Sequence, residues 1–217
     1  MGGSTASTAP RAARKPSPRA FWLKQLHTWH WVSSAISLVG LLLFAITGFT
    51  LNHAGSIEAT PMVESPAAQL PAPLIRLIRS DDAPDTKKPL PPAVAAWVAD
   101  RFDVTATAPA EWSATDVYLP LPRPGGDGWV SIDRASGAVT SEFTSRGWIS
   151  YLNDLHKGRN AGTAWFWFID VFAGACLVFA LTGLILLQLH ARRRPSTWPL
   201  VFAGLAIPAA IAAFLIH

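Results

Sequence analysis

The residues in this chain best suited to chemistry are histidines, which stand at the ends of two long hydrophobic segments. His27, His30 and His53 flank the first segment, and His156 and His190 flank the second. Haem iron accepts imidazole on both faces, so two neighbouring helices with histidine at both ends could ligate one haem near each membrane surface. Two axial histidines leave no open coordination position for oxygen, and the pattern therefore favours electron transfer.

The rise of an α-helix predicts which histidines meet. His30 and His53 are separated by about 34 Å of helix, which is a full crossing of a bilayer. We therefore expect His190 to pair with His30 or His27 on one side of the membrane, and His53 with His156 on the other. His27 and His30 lie on one side of the same helix, so spacing does not choose between them. The alternative is that these histidines are ordinary interfacial residues.

Membrane spans must position these histidines. Hydrophobic residues make up 50% of the chain and charged residues 15%, which is too apolar for a soluble domain of 217 residues. Residues 31–51 and 165–189 are long enough to cross a hydrocarbon core of roughly 30 Å. Residues 200–216 form a shorter apolar stretch that contains Pro208. The sequence thus predicts three transmembrane helices.

Basic residues near the spans predict the orientation. Lysine and arginine cluster between residues 11 and 24, before the first span, and again at 192–194, after the second. Both groups are expected in the cytoplasm, which places residues 54–164 in the periplasm of a bacterial inner membrane. The net charge of +4 reflects these flanks and does not indicate a nucleic acid partner. Cys176 is the single cysteine and no C-x-x-C-H motif is present, so any haem is expected to be b-type.

The chain divides into six segments on this basis. We expect a disordered cytoplasmic tail, a first transmembrane helix, a periplasmic linker with a small folded domain, a second transmembrane helix, a basic cytoplasmic loop and a third helix, over residues 1–20, 21–53, 54–156, 157–191, 192–198 and 199–217. The last segment ends at His217, which is not a ligand candidate.

The periplasmic segment is predicted to fold only in its second half. Residues 56–92 are rich in proline, alanine and aspartate and are expected to be an extended linker, although an apolar stretch at 71–80 could pack on the domain. A helix is predicted to open at Pro91-Pro92 and to end near Phe102, and two or three strands are predicted to follow, over 112–119, 128–133 and 138–143.

Three charged residues beside the second span are further candidates. Asp170 lies inside the span, where an ionisable group is costly; it could hydrogen-bond a ligating imidazole or pair with Lys157 or Arg159. Lys157 and Arg159 place positive charge outside, where they could bind haem propionates or an acidic iron chelate. The alternative for both is an interfacial contact with lipid headgroups.

The two long spans resemble each other. Residues 45–48, Ala-Ile-Thr-Gly, end the first span much as residues 180–183, Ala-Leu-Thr-Gly, end the second. Since the helices run in opposite directions, the pattern indicates an inverted repeat, although chance similarity is the alternative. The Thr-Gly pairs and other small residues could admit a haem plane or simply allow close helix packing.

Several motifs together resemble the short, three-span form of the PepSY-associated transmembrane family. The matching pieces are Trp29-His-Trp31, Thr47-Gly48, Leu51-Asn-His53, the run Leu-Asn-Asp-Leu-His-Lys-Gly-Arg at 152–159, residues 165–170, Thr182-Gly-Leu184 and a strand-turn-strand at 130–139. The resemblance implies an α-helical membrane protein with a small α+β periplasmic domain between its first two helices.

Relatives of this family with four or more spans include bacterial inner-membrane haem proteins that reduce ferric siderophores in the periplasm. By resemblance, His30, His53, His156 and His190 are ligand candidates for two b-type haems, with a ferric chelate as acceptor and a cytoplasmic reductant or quinol as donor. The chain is shorter than those relatives, so a second copy could complete its sites.

Two other functions are open from the sequence. The outer domain could be a membrane-anchored binding or regulatory module without redox activity, or the histidine pairs could bind a transition metal directly. No Ser/His/Asp, H-E-x-x-H or phosphate-loop pattern is present, which argues against hydrolase and nucleotide chemistry.

Overall fold

The structure, a computed structural model, describes residues 17–79 and 86–216. The predicted tail up to residue 16 and His217 therefore lie outside the described residues. The elements follow one another in the order α1 (Pro18–Asn52), β1 (Met62–Glu64), β2 (Ala67–Gln69), α2 (Ala72–Arg79), β3 (Thr86–Lys88), α3 (Pro92–Phe102), β4 (Ala110–Trp112), β5 (Asp116–Pro120), β6 (Gly126–Asp133), β7 (Ala138–Ser145), α4 (Gly147–Lys157), α5 (Gly162–His190) and α6 (Thr197–Phe214). They form two compact units, Met1–Gly40 with Val171–His217, and Leu41–Asp170.

Helices α1, α5 and α6 are each long and apolar enough to cross a membrane. Most of their leucine, isoleucine, phenylalanine and valine side chains are exposed, as expected for surfaces that contact lipid rather than water. Helix α1 already begins at Pro18, inside the segment expected to be tail, since proline is well accommodated in a first helical turn. Helix α5 begins at Gly162 rather than at residue 157, because α4 ends in a left-handed turn at Gly158.

Helices α1 and α5 pack closely at Gly40. A Cβ atom added there would lie 2.3 Å from the Phe172 ring, so only glycine leaves room for that side chain. Ser33 and Ser37, on the same helix, are buried and donate their hydroxyls back to carbonyls of α1. At Gly40 this small-residue face therefore allows close packing of the two helices.

The second unit contains a seven-stranded antiparallel sheet. Its strand order is β1-β7-β6-β5-β4-β3, and β2 also pairs with β7. Side chains alternate along the central strands, and the inward residues Val117, Leu119, Val130, Ile132 and Val139 are fully buried. Helices α2 and α3 cover this face, with Ile78, Val94 and Val98 in the same core. The predicted α+β outer domain is confirmed at this level, and α3 agrees with the helix predicted to open at Pro91-Pro92 and to end near Phe102.

The expectation of an extended linker over residues 56–92 was wrong. This stretch contains β1, β2, α2 and β3, and Leu70, Ile78 and Leu90 belong to the buried core. The apolar stretch at 71–80 packs as suggested, because Ile78 is fully buried and Leu74 and Ile75 contact the core. The strands in this stretch have only three residues each, too few to show an alternating pattern.

The strand predicted over 112–119 is two strands, β4 and β5, joined by a tight turn. Ser113 forms that turn, because its hydroxyl accepts the Asp116 backbone N–H at 2.9 Å and its own N–H donates to the Asp116 carbonyl at 2.9 Å. Serine commonly ends a strand in this way, by offering the backbone a local hydrogen-bond partner. The other two predicted strands are present and extend further, to 126–133 and 138–145.

Candidate functional site

His30 lies on α1 and contacts α5. Its Nδ1 atom is 3.0 Å from the hydroxyl oxygen of Thr182, and its ring stacks on Phe179 with centroids 5.0 Å apart. A Cβ atom at Gly183 would lie 3.1 Å from the ring, so the glycine leaves space for the imidazole. His30 thus meets α5 at Thr182–Gly183, about two helical turns before His190.

His30 and His190 nevertheless line one pocket. The pocket has a volume of about 440 Å³, within the usual range for small-molecule sites, and Gly183, Arg193 and Arg194 also border it. His190 donates its Nδ1–H to the carbonyl of Leu186 at 2.8 Å, one turn earlier in α5. The structure therefore brings together the pair of histidines expected on the cytoplasmic side, with two guanidinium groups beside them.

His156 makes the corresponding contact in the second unit, from α4 to α1. Its Nδ1 atom is 2.7 Å from the hydroxyl oxygen of Thr47, and its ring lies 5.0 Å from that of Phe44. A Cβ atom at Gly48 would lie 3.3 Å from the ring. The sequence predicted that His156 is level with His53. Instead, His156 contacts α1 about 9 Å further along the helix, toward its middle.

Two neighbours of His156 in the run at 152–159, to which the sequence analysis assigned no role of their own, hold α4 in place. Asn153 accepts a hydrogen bond from the Thr50 hydroxyl of α1 at 2.8 Å. Asp154 accepts the backbone N–H of Gly125, in the turn before β6, at 2.9 Å, and both side chains are buried. The adjacent residues of the Asn-Asp-Leu-His run thus tie α4 to α1 and to the sheet, which fixes where His156 points.

His53 and His27 are exposed and contact their own helix. His53 donates its Nδ1–H to the Phe49 carbonyl at 3.0 Å, and His27 donates to the Leu23 carbonyl at 2.8 Å. His27 is not among the residues that line the pocket shared by His30 and His190. That pocket therefore favours His30 over His27 as the partner of His190.

A family model for PepSY_TM-like proteins matches residues 21–217. The chain belongs to this family. The resemblance inferred from the motifs is confirmed, and the match covers the three long helices and the sheet domain of a membrane protein. No curated protein and no solved structure matches the chain.

The five histidine rings of this PepSY_TM-like chain are each hydrogen-bonded through Nδ1. Imidazole binds haem iron through one nitrogen, and among the described residues none of the five rings has a hydrogen bond at Nε2. The described part of the chain contains no cluster of three or more histidine, cysteine or acidic side chains, as a structural metal site in a protein requires. The pocket at His30 and His190 has imidazole and guanidinium groups at its wall.

The charged candidates lie on the surface. Asp170 is exposed on α5 and forms no ion pair within residues 17–79 and 86–216, so neither suggested partner, Lys157 or Arg159, is in contact with it. Lys157 and Arg159 are exposed at the end of α4, next to His156. The oxygen atom beside the half-buried imidazole of His30 belongs to Thr182, and that beside His156 belongs to Thr47, not to an acidic side chain.

Proposed function

We propose that the chain is a di-haem electron-transfer protein of the bacterial inner membrane, which reduces ferric iron held in a chelate on the periplasmic side. The observation that carries this proposal is the pocket shared by His30 and His190. Both rings lie at its wall with Nε2 free of other hydrogen bonds among the described residues, and Arg193 and Arg194 supply positive charge.

His30 and His190 would hold one b-type haem. When bound, haem supplies reversible one-electron transfer at its iron, and the protein sets access, ligand orientation and charge. Thr182 and the Leu186 carbonyl orient the two rings through Nδ1, and Gly183 leaves the space that the His30 ring needs. The two arginines at the pocket match the propionates of haem, because a guanidinium pairs with a carboxylate through two hydrogen bonds.

His156 would hold the second haem, with His53 as the other ligand that the family resemblance implies. Since His53 lies about 9 Å from the level of His156 along α1, a second copy of the chain would complete this site. The Nε2 atoms of both histidines are equally free of hydrogen bonds among the described residues. Lys157 and Arg159 would attract an acidic ferric chelate to this side. The donor would be a cytoplasmic reductant or a membrane quinol.

The test is the absorption spectrum of the purified full-length protein before and after reduction with dithionite. We expect reduced b-type bands and two haems per chain. His30→Ala and His190→Ala should each remove the haem of the shared pocket and leave the other, and His156→Ala should do the reverse. Ferric chelate reduction by the loaded protein should fall with either loss.

His27→Ala is the matched control, because His27 is an exposed imidazole on the same helix that does not line the pocket. It should leave both haems in place. A colourless protein from haem-replete cells, together with silent histidine variants, would refute the proposal and leave the anchored sheet domain as the functional part.

A further inference from the structure

The contacts of His30 and His156 use the same five-residue motif. His156 contacts Phe44-Ala-Ile-Thr-Gly48 on α1, and His30 contacts Phe179-Ala-Leu-Thr-Gly183 on α5. In each case the ring lies on the phenylalanine, over the glycine, with Nδ1 against the threonine hydroxyl. Two arrangements that agree in three contacts are not explained by accidental placement of small residues. The repeat seen in the sequence is therefore a repeat of a histidine-binding surface.

The direction of the threonine hydrogen bonds follows from their other partners. The Thr47 hydroxyl lies 2.9 Å from the Leu43 carbonyl, and the Thr182 hydroxyl lies 2.6 Å from the Val178 carbonyl. A carbonyl can only accept, so each hydroxyl proton is directed to its own helix. The threonine oxygen then accepts the proton on Nδ1 of the histidine.

The number of available protons also favours the tautomer that carries its proton on Nδ1. If the threonine donated to Nδ1, the imidazole proton would be on Nε2, which has no acceptor among the described residues. That arrangement would leave the Nε2–H donor without a partner among the described residues. With the proton on Nδ1, both protons of each pair are hydrogen-bonded, and Nε2 presents a lone pair.

We infer that Thr47 and Thr182 are positioning residues that fix the Nδ1–H tautomer of His156 and His30 and so direct each Nε2 lone pair to a metal centre. The part concerning metal rests on the proposed function, but the tautomer itself does not. A hydrogen bond to the far nitrogen of an imidazole raises its basicity as a ligand. Each threonine should therefore strengthen haem binding and lower the reduction potential at one site only.

The variants separate this role from packing. Thr182→Val keeps the shape of the side chain and removes the hydroxyl, whereas Thr182→Ser keeps the hydroxyl. Thr47→Val is the equivalent change at the other contact. Ser37→Ala is the control, because Ser37 is also buried and bonded to its own helix, but its hydroxyl contacts no histidine.

The first measurement is the ¹⁵N shift of the histidine ring nitrogens in the haem-free, full-length protein in bilayers. We expect His30, assigned with His30→Gln, to carry its proton on Nδ1. In Thr182→Val the His30 signals should move to a mixture of tautomers, and in Thr182→Ser they should return. An Nε2–H ring in the unmodified protein, or no response to Thr182→Val, would overturn the inference whether or not haem binds.

The second measurement is redox titration of the haem-loaded protein. Thr182→Val should raise the midpoint potential of one haem and weaken its binding about tenfold or more, with the other haem unchanged. Thr47→Val should act on the second haem alone, and Ser37→Ala on neither. Equal potentials in all variants would overturn the positioning role while leaving the proposed function intact.

Discussion

At the scale of single residues, the turn between β6 and β7 shows how one carboxylate can hold a loop. Asp133 accepts three hydrogen bonds at Oδ1, from the Ser136 hydroxyl and backbone N–H, both at 2.6 Å, and from the Ala135 N–H at 3.1 Å. Gly137 closes the turn with φ +74°, a conformation that glycine adopts without strain. The turn of the strand-turn-strand at 130–139 is therefore capped by its own side chains.

This turn predicts a pH dependence. The hydrogen bonds from Ser136 lower the pKa of Asp133 below its ordinary value of 3.8. Because the folded pKa is depressed, the carboxylate stabilises the fold above pH 3.8, and that contribution is lost as the pH falls through the lower folded value. Asp133→Asn should thus be less stable than the unmodified protein at pH 6, and the difference should shrink toward pH 3. Urea unfolding at several pH values measures it; a constant difference would contradict the assignment.

At the scale of elements, the position of α4 depends on a hydrogen bond to a distant turn, which the sequence of α4 does not indicate. Asp154 is 8% exposed and accepts a backbone N–H from a turn 29 residues earlier in the chain. Asp154→Ala would leave that buried N–H unpaired, so we expect a loss of about 1.5–3 kcal/mol in the free energy of unfolding. Asp100→Ala, which removes an exposed carboxylate from α3, should change it little. Equal unfolding midpoints for the two variants would show that Asp154 does not anchor α4.

The elements that the sequence predicted well are those with long or regular patterns. The apolar runs of α1 and α5 exceed a bilayer crossing, and α3 carries Val94 and Val98 on one buried face. The strands β1 and β2 were missed because they are short and pair with β7, which lies far along the chain. Such pairing depends on non-local contacts, which local periodicity does not report.

The sequence predicted the residue types of the candidate site, but not the level along α1 at which His156 lies. Histidines at helix ends were identified, and His30 and His190 do share a pocket. The level at which His156 meets α1 depends on Thr50, Asn153 and the end of α4 at Gly158. Counting residues along the sequence treated the chain from His156 into the second span as continuous. In the structure, the chain turns at Gly158 before α5 begins. That turn is what moves the imidazole to Thr47.

At the scale of the whole molecule, the distribution of charge predicts which segments face each side of the membrane. Arg192, Arg193 and Arg194 separate α5 from α6, and basic residues also precede α1. Positive flanks are retained in the cytoplasm, so the loop before α6 should be inside and the sheet domain outside. Helix α6 has 18 residues with Pro208 inside it, close to the lower limit for a span. Its crossing would return the C-terminal end to the outside.

Cysteine labelling of spheroplasts with a membrane-impermeant maleimide tests this topology in a Cys176→Ala background. Thr107→Cys, in an exposed turn of the sheet domain, should react in intact spheroplasts, and Ser196→Cys only after the membrane is opened. Ile216→Cys should behave like Thr107→Cys, because an apolar helix of 18 residues is more stable across the hydrocarbon core than along its surface. If Ile216→Cys reacts only after opening, α6 does not cross; if Thr107→Cys does so as well, the charge rule fails for this chain and the ferric acceptor cannot be periplasmic.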